Sequence, residues 1–246
     1  IINKKGGQNR VKTLTVKDEN DNEYTTTYRY TVDGSENGKS SGVIAKEPEG
    51  VIGVKHHFYN HFDFPNTPIL YGKVSVLKGK SATKEAVSKS VFDFETPHYS
   101  MVDSRTEQIF DDYVNFLNPD DDIFKIYNFN IKVNTSTIGQ LKSVKHYNNK
   151  GFLISKVEYG YETSKTDYNN QTPLNLGAFT AGTLTGRFSF LPSDDARYYN
   201  FFRTTKSYSS SSLRTVSITE NNEKKVITNT EYDLATGIVL ETEYED

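Results

Sequence analysis

Three of the five histidines crowd into "VKHHFYNHFDF", Val54 to Phe64. In an extended segment, residues two or four apart share a face, so His57, His61 and Asp63 would stand together. Neutral imidazole and carboxylate are ordinary ligands for zinc or copper, which makes this trio a candidate metal site, with His56 beside it. The competing reading is a loop rich in His, Tyr and Phe ahead of Pro65 and Pro68. It carries the greater weight, because neither a fixed ligand spacing nor outer-shell hydrogen-bonding partners are written here. No cofactor is expected.

Carboxylates gather elsewhere. "NPDDDIF" places Asp120, Asp121 and Asp122 close to Asp111 and Asp112, and "LPSDDARYY" holds Asp194 and Asp195. Acid and base work needs two carboxyl groups whose surroundings separate their pKa values, and a solvated turn offers no such separation. Asp18, Asn20 and Asn22 repeat the odd spacing of a calcium loop. The sixth position is Glu23 instead of Gly, however, and the twelfth is Arg29 instead of Glu. A turn in which Asx side chains bond the local backbone fits the same letters. Arg197, Tyr198, Tyr199 and Arg203, with Phe201 and Phe202, could stack on sugar rings, although buried strands produce the same pattern. Neither a G-x-S-x-G elbow nor a phosphate loop occurs, and "DGSENG" (Asp33 to Gly38) reads as a turn. No enzyme is expected.

The elements that must position these residues are strands. The 246 residues contain no Cys and no Trp but 17 Tyr and 15 Phe, beside many Thr and Val. Flat and β-branched side chains suit a pleated surface. The absence of Cys removes disulfides and thiolate chemistry. A net charge of −3, with Lys and Arg spread through the chain, gives no footprint for nucleic acid. A mean hydropathy of −0.66 and the lack of a long apolar run exclude a membrane-spanning helix. The opening "IINKKGG" has neither an initiator Met nor a signal-peptide pattern, so a fragment of something longer is expected.

Period-two alternation predicts hairpins at Arg10 to Val32, turning at Asp18 to Asn22, and at Ile69 to Thr96, turning near Gly79 to Lys84. Val32 to Gly53 is a connection. Phe124 to Val133 alternates as a strand. The one helical signal is 104–118: Ser104 and Glu107 have capping-box spacing, the apolar residues from Ile109 to Leu117 fall at helical intervals, and Asn118-Pro119 would end it. Ser209 to Ser212 reads as a flexible loop tip. The expected division is 1–135, β-rich, and 136–246, repeat hairpins.

One pattern occurs twice. "YNNKGFLISKVEYGYE" (Tyr147 to Glu162) and "YDLATGIVLETEYED" (Tyr232 to Asp246) each carry a Tyr, a turn with Gly four or five residues on, and a strand with a second Tyr twelve positions after the first. This resembles the YD repeat of rearrangement-hotspot (RHS) proteins, and the stretches "GGQNRVKTLTVKDENDNEYTTTYRYT" and "LYGKVSVLKG" look like the region that precedes such repeats in very large exported bacterial surface proteins. Some of those are type 9 secretion substrates, and toxin-complex shells are more distant relatives. The resemblance implies antiparallel hairpins paired edge to edge into an extended or coiled sheet, a non-catalytic shell or spacer at the cell surface or secreted, in some relatives around toxin cargo. The implied partners are flanking repeats of the same chain and other secretion or surface proteins. The alternative is an adhesin module that takes a glycan on Arg197, Tyr198, Tyr199 and Arg203. Neither nucleic acid nor membrane insertion is implied.

Overall fold

The computed structural model describes residues 9–44, 69–80, 86–98, 101–112, 122–163, 179–189, 197–208, 211–233 and 238–245. Fifteen strands run through them: β1 (Thr13–Lys17), β2 (Glu23–Arg29), β3 (Gly42–Ile44), β4 (Ile69–Tyr71), β5 (Lys73–Lys80), β6 (Ala86–Phe94), β7 (Val102–Asp112), β8 (Asp122–Val133), β9 (Leu141–Tyr147), β10 (Leu153–Thr163), β11 (Phe179–Ser189), β12 (Arg197–Tyr208), β13 (Ser211–Glu220), β14 (Glu223–Tyr232) and β15 (Val239–Glu245). The chain is mainly β, with a short 3-10 turn at Thr135–Thr137.

Nine strands make one open sheet in the order β1-β2-β5-β6-β9-β10-β13-β14-β15. That is chain order, with three excursions left out. The first excursion forms the ribbon β3–β4, so the connection read at Val32 to Gly53 contains a short strand. The other two build a second sheet, β11-β12-β8-β7. By compactness the chain falls into two units, one of residues 1–98, 137–162 and 211–246 and one of 99–136 and 163–210. One crossing, 136/137, lies beside the boundary expected at 135/136, but the first unit draws on residues from both sides of it.

Local chemistry explains the hairpins. Asp18 accepts hydrogen bonds from the amides of Asn20 and Asn22, both at 2.9 Å, and from Asn22 Nδ2 at 2.9 Å. Asn148 repeats the arrangement on the amides of Lys150 and Phe152 at 2.9 Å. In both turns the fourth residue takes a positive φ: Asp21 at 60° and Gly151 at 83°. The β9–β10 hairpin therefore uses Asn148, where the YD pattern has Asp, for the job Asp18 does in β1–β2. The β13–β14 hairpin turns on Asn221 and Asn222, at φ 49° and 68°, between the paired Glu220 and Glu223. Two consecutive left-handed residues make the twist-matched two-residue loop.

The helix expected at 104–118 is corrected. Ser104 to Asp112 belong to β7, which pairs antiparallel with β8, Ser104 opposite Ile131 and Glu107 opposite Asn128. The register shifts between Gln108 and Phe110, so Ile109 is an extra residue. Such a bulge breaks the period of two and lets the stretch imitate helical spacing. A ladder along the whole strand outweighs a capping box, because helix propensity differs by only tenths of a kcal/mol per residue. Residues 113–118 lie outside the described residues. The Ser209 to Ser212 tip is corrected in part: Ser211 and Ser212 open β13, and the Ser211 hydroxyl and Gln140 side chain are hydrogen-bonded at 3.1 and 3.2 Å. Ser209 and Ser210 lie outside the described residues.

In the second sheet, the hairpins β7–β8 and β11–β12 are joined by a parallel β12–β8 ladder from Arg197 opposite Asp122 to Tyr208 opposite Val133. A parallel neighbour requires a long crossover, and the chain forms β9, β10 and β11 between these two strands. Met101 and Val133 are buried at its base, where the Met101 carbonyl accepts from the Asn134 amide at 2.7 Å.

Candidate functional site

His56, His57, His61 and Asp63 lie outside the described residues, as do Asp120, Asp121, Asp194 and Asp195. Asp111 and Asp112 end β7 and Asp122 begins β8, so the three share one end of that hairpin. Arg197, Tyr198, Tyr199 and Arg203 all fall on β12. Among the described residues no group of three or more His, Asp or Glu is placed to hold a metal. The Asp18 carboxylate is committed to its own turn, and the Asn22 side chain, above all, holds its pKa below the usual carboxylate value.

What the structure does assemble lies at the middle of the nine-stranded sheet and along its two rims. In the middle, Asp93 on β6 faces Lys73 on β5 and Ser143 on β9. Its carboxylate accepts from Ser143 Oγ at 2.8 Å and Lys145 Nζ at 3.2 Å, with Lys73 Nζ at 3.6 Å. Burial is the largest single influence and would raise its pKa. The hydrogen bonds from Ser143 and Lys145 and the charges of Lys145 and Lys73 together outweigh it and hold the group below its ordinary value. Ser75, Val91 and Ser143 are buried on its face of the sheet, and Val144 on the opposite one. Gly34, at φ 73°, brings the Thr31–Gly34 turn down onto Ser75, and a Cβ there would come within 2.9 Å of Ser75 Oγ.

The rims are different. Every residue of β1 is exposed, and in β15 all but Thr242 are. Large apolar side chains stand in solvent at both: Val11, Leu14 and Val16 at one, Ile238, Val239, Leu240 and Tyr244 at the other. No strand among the described residues pairs with either outer edge. Beside the β1 rim, the Arg10 guanidinium lies over the rings of Tyr30 and Tyr71, at 5.1 and 5.5 Å, and donates to Tyr71 Oη at 3.1 Å. An aromatic pair that could have received a ligand cation is thus filled by the chain itself.

A feature the sequence reading missed is a tyrosine closure. Tyr30 Oη donates to the Val11 carbonyl at 3.0 Å, Tyr161 Oη to Leu141 at 3.0 Å, and Tyr232 Oη to Leu213 at 2.5 Å, across separations of 19, 20 and 19 residues. Burial raises the pKa of Tyr30 and of Tyr161. Each acceptor opens a triplet of Val or Leu, then Lys or Arg, then Ser or Thr: Val11-Lys12-Thr13, Leu141-Lys142-Ser143 and Leu213-Arg214-Thr215. The signal was present as that triplet with a Tyr 19 or 20 residues on, but it is hidden by being offset from the YD pattern. The β5–β6 hairpin is the exception: it ends in Phe94 and closes through the Phe94 amide on the Gly72 carbonyl at 2.8 Å. Comparison with protein-family models, curated proteins and solved structures gives no match.

Proposed function

We propose that this chain is a non-catalytic structural segment, a shell or spacer, of a large secreted or cell-surface protein of the RHS/YD-repeat type. The observation that carries the reading is the nine-stranded sheet itself, built from hairpins in chain order and left with exposed apolar residues along both outer strands. A hairpin cannot bury its own apolar face, so such a sheet gains stability from each added neighbour. An unpaired edge with apolar side chains is a template for another strand. Flanking repeats of the same chain are the partners this construction calls for.

Native-state hydrogen exchange on the intact 246-residue protein tests the reading. Amides of β1 and β15 should exchange through low-energy opening, and those of β5, β6 and β9 only near the global limit. Uniform protection from rim to rim, with coincident unfolding by circular dichroism and tyrosine fluorescence, would mark a self-sufficient domain and overturn the proposal. So would glycan-array binding that disappears in the Tyr198→Ala/Tyr199→Ala variant, since that is the behaviour of an adhesin.

A further inference from the structure

The three tyrosine closures share a direction. In an antiparallel ladder alternate strands run the same way, so β1 and β9 are co-directional through β2, β5 and β6, and β13 and β15 are co-directional through β14. In each closed hairpin the tyrosine lies on, or for Tyr30 one residue past, the strand that sits on the β15 side of the acceptor's strand: β2 beside β1, β10 beside β9, β14 beside β13. For β15 that same side is the open edge. The β15 sequence begins the same way, since Leu240-Glu241-Thr242 matches Leu213-Arg214-Thr215 and Leu141-Lys142-Ser143 except for the charge of the middle residue.

That charge bears on the occupant. Glu241, Glu243 and Glu245 alternate along β15, all three exposed, and Leu240 and Tyr244 stand beside them at 59% and 78% exposure. Opposite charges on directly facing strand positions stabilise a pair, and like charges destabilise it. An acidic edge therefore selects a basic strand.

We propose that the open edge of β15 receives an antiparallel strand from a further hairpin of the same type, a strand carrying Lys or Arg and ending in a tyrosine whose hydroxyl donates to the Leu240 carbonyl. This rests on the reading of the chain as a segment of a longer sheet. It adds the edge that is extended, the chemistry of the extending strand and the bond that fixes its register. A slip of one residue would turn every side chain of the incoming strand to the wrong face, and a hydroxyl anchored at one end prevents it.

The test uses the intact protein and a fluorescein-labelled peptide of residues 224–232 carrying Glu231→Lys, which keeps Tyr232 at its end. Anisotropy titration should show saturable binding, about fivefold weaker when the terminal tyrosine is replaced by phenylalanine, the loss expected for one hydrogen bond. Binding should weaken in the Glu241→Lys/Glu243→Lys variant, and added salt, which screens exposed charges, should narrow that difference. Equal binding of the Tyr and Phe peptides, with the charge variant still impaired, would overturn the tyrosine bond and leave the open-edge reading standing. Binding untouched by the charge reversal would overturn the placement on β15. No binding of either peptide would overturn the proposal together with the reading on which it rests.

Discussion

The middle and the rims of the nine-stranded sheet are made from the same alphabet, yet they are held together differently. At β5, β6 and β9 one row runs Lys73, Asp93, Ser143 in register, and the next runs Arg29, Ser75, Val91, Lys145, Lys156 from β2 to β10. On the opposite face Val74, Phe92, Val144 and Val157 line up. There each residue has a neighbour on both sides, and Val91 and Val144 reach burial. At β1 and β15 the same alternation of Val, Leu, Thr and charge has one neighbour only, and the apolar residues stay in water. Burial in a sheet is thus a property of position in the strand order and not of composition.

The largest expected break of this contrast is Asp93→Ala. It leaves Lys73, Lys145 and Ser143 without their shared acceptor in a half-buried site, and urea unfolding should show a loss of about 2 kcal/mol. Leu14→Thr on β1 should change stability by no more than about 0.5 kcal/mol, because no burial is lost. The two variants becoming equal would erase the distinction between middle and rim. Acid sharpens it further. A carboxyl whose folded pKa is depressed contributes stability that is fully present above its unfolded value, about 3.9, and is lost as pH falls through the lower folded value. Wild-type protein should therefore lose stability below about pH 4 more steeply than Asp93→Asn, measured as urea midpoints from pH 6 to pH 2.

A smaller effect is expected at the closures. Tyr232→Phe removes the hydroxyl that reaches the Leu213 carbonyl and should cost about 1 kcal/mol, with amide protection falling first at the open end of β13–β14. The smallest change should be a gain. Asp21 holds a left-handed conformation that Gly151 holds in the matching turn, so Asp21→Gly should stabilise by a few tenths of a kcal/mol, visible as a higher thermal midpoint.

Much of the first unit was legible because its hairpins are local. Asp18 to Asn22 and Asn148 to Gly151 are turn signals with a mechanism, and the alternation around them fixes two strands each. The calcium-like spacing at Asp18, Asn20 and Asn22 turned out to be the same Asx turn seen at Asn148. The β13–β14 hairpin is written as "ENNE" (Glu220 to Glu223), a two-residue turn, but the Ser run at Ser209 to Ser212 just ahead of it carries a competing loop signal. The candidate ligand residues Arg197, Tyr198, Tyr199 and Arg203 lie on a strand, which is the alternative that their pattern also allowed.

The residues by themselves determined the β class, the turns and the strands that flank them, since backbone sterics, Asx side chains and period-two patterning act over fewer than about ten residues. Which hairpin lies beside which was decided only in three dimensions. β6 meets β9 across the excursion of β7 and β8, and β12 meets β8 in parallel across three intervening strands. The clearest case is β7, whose letters fit a capped helix but whose fate was set by β8: a ladder of partners exists only after the chain has folded back, and its hydrogen bonds outweigh a local preference worth tenths of a kcal/mol per residue.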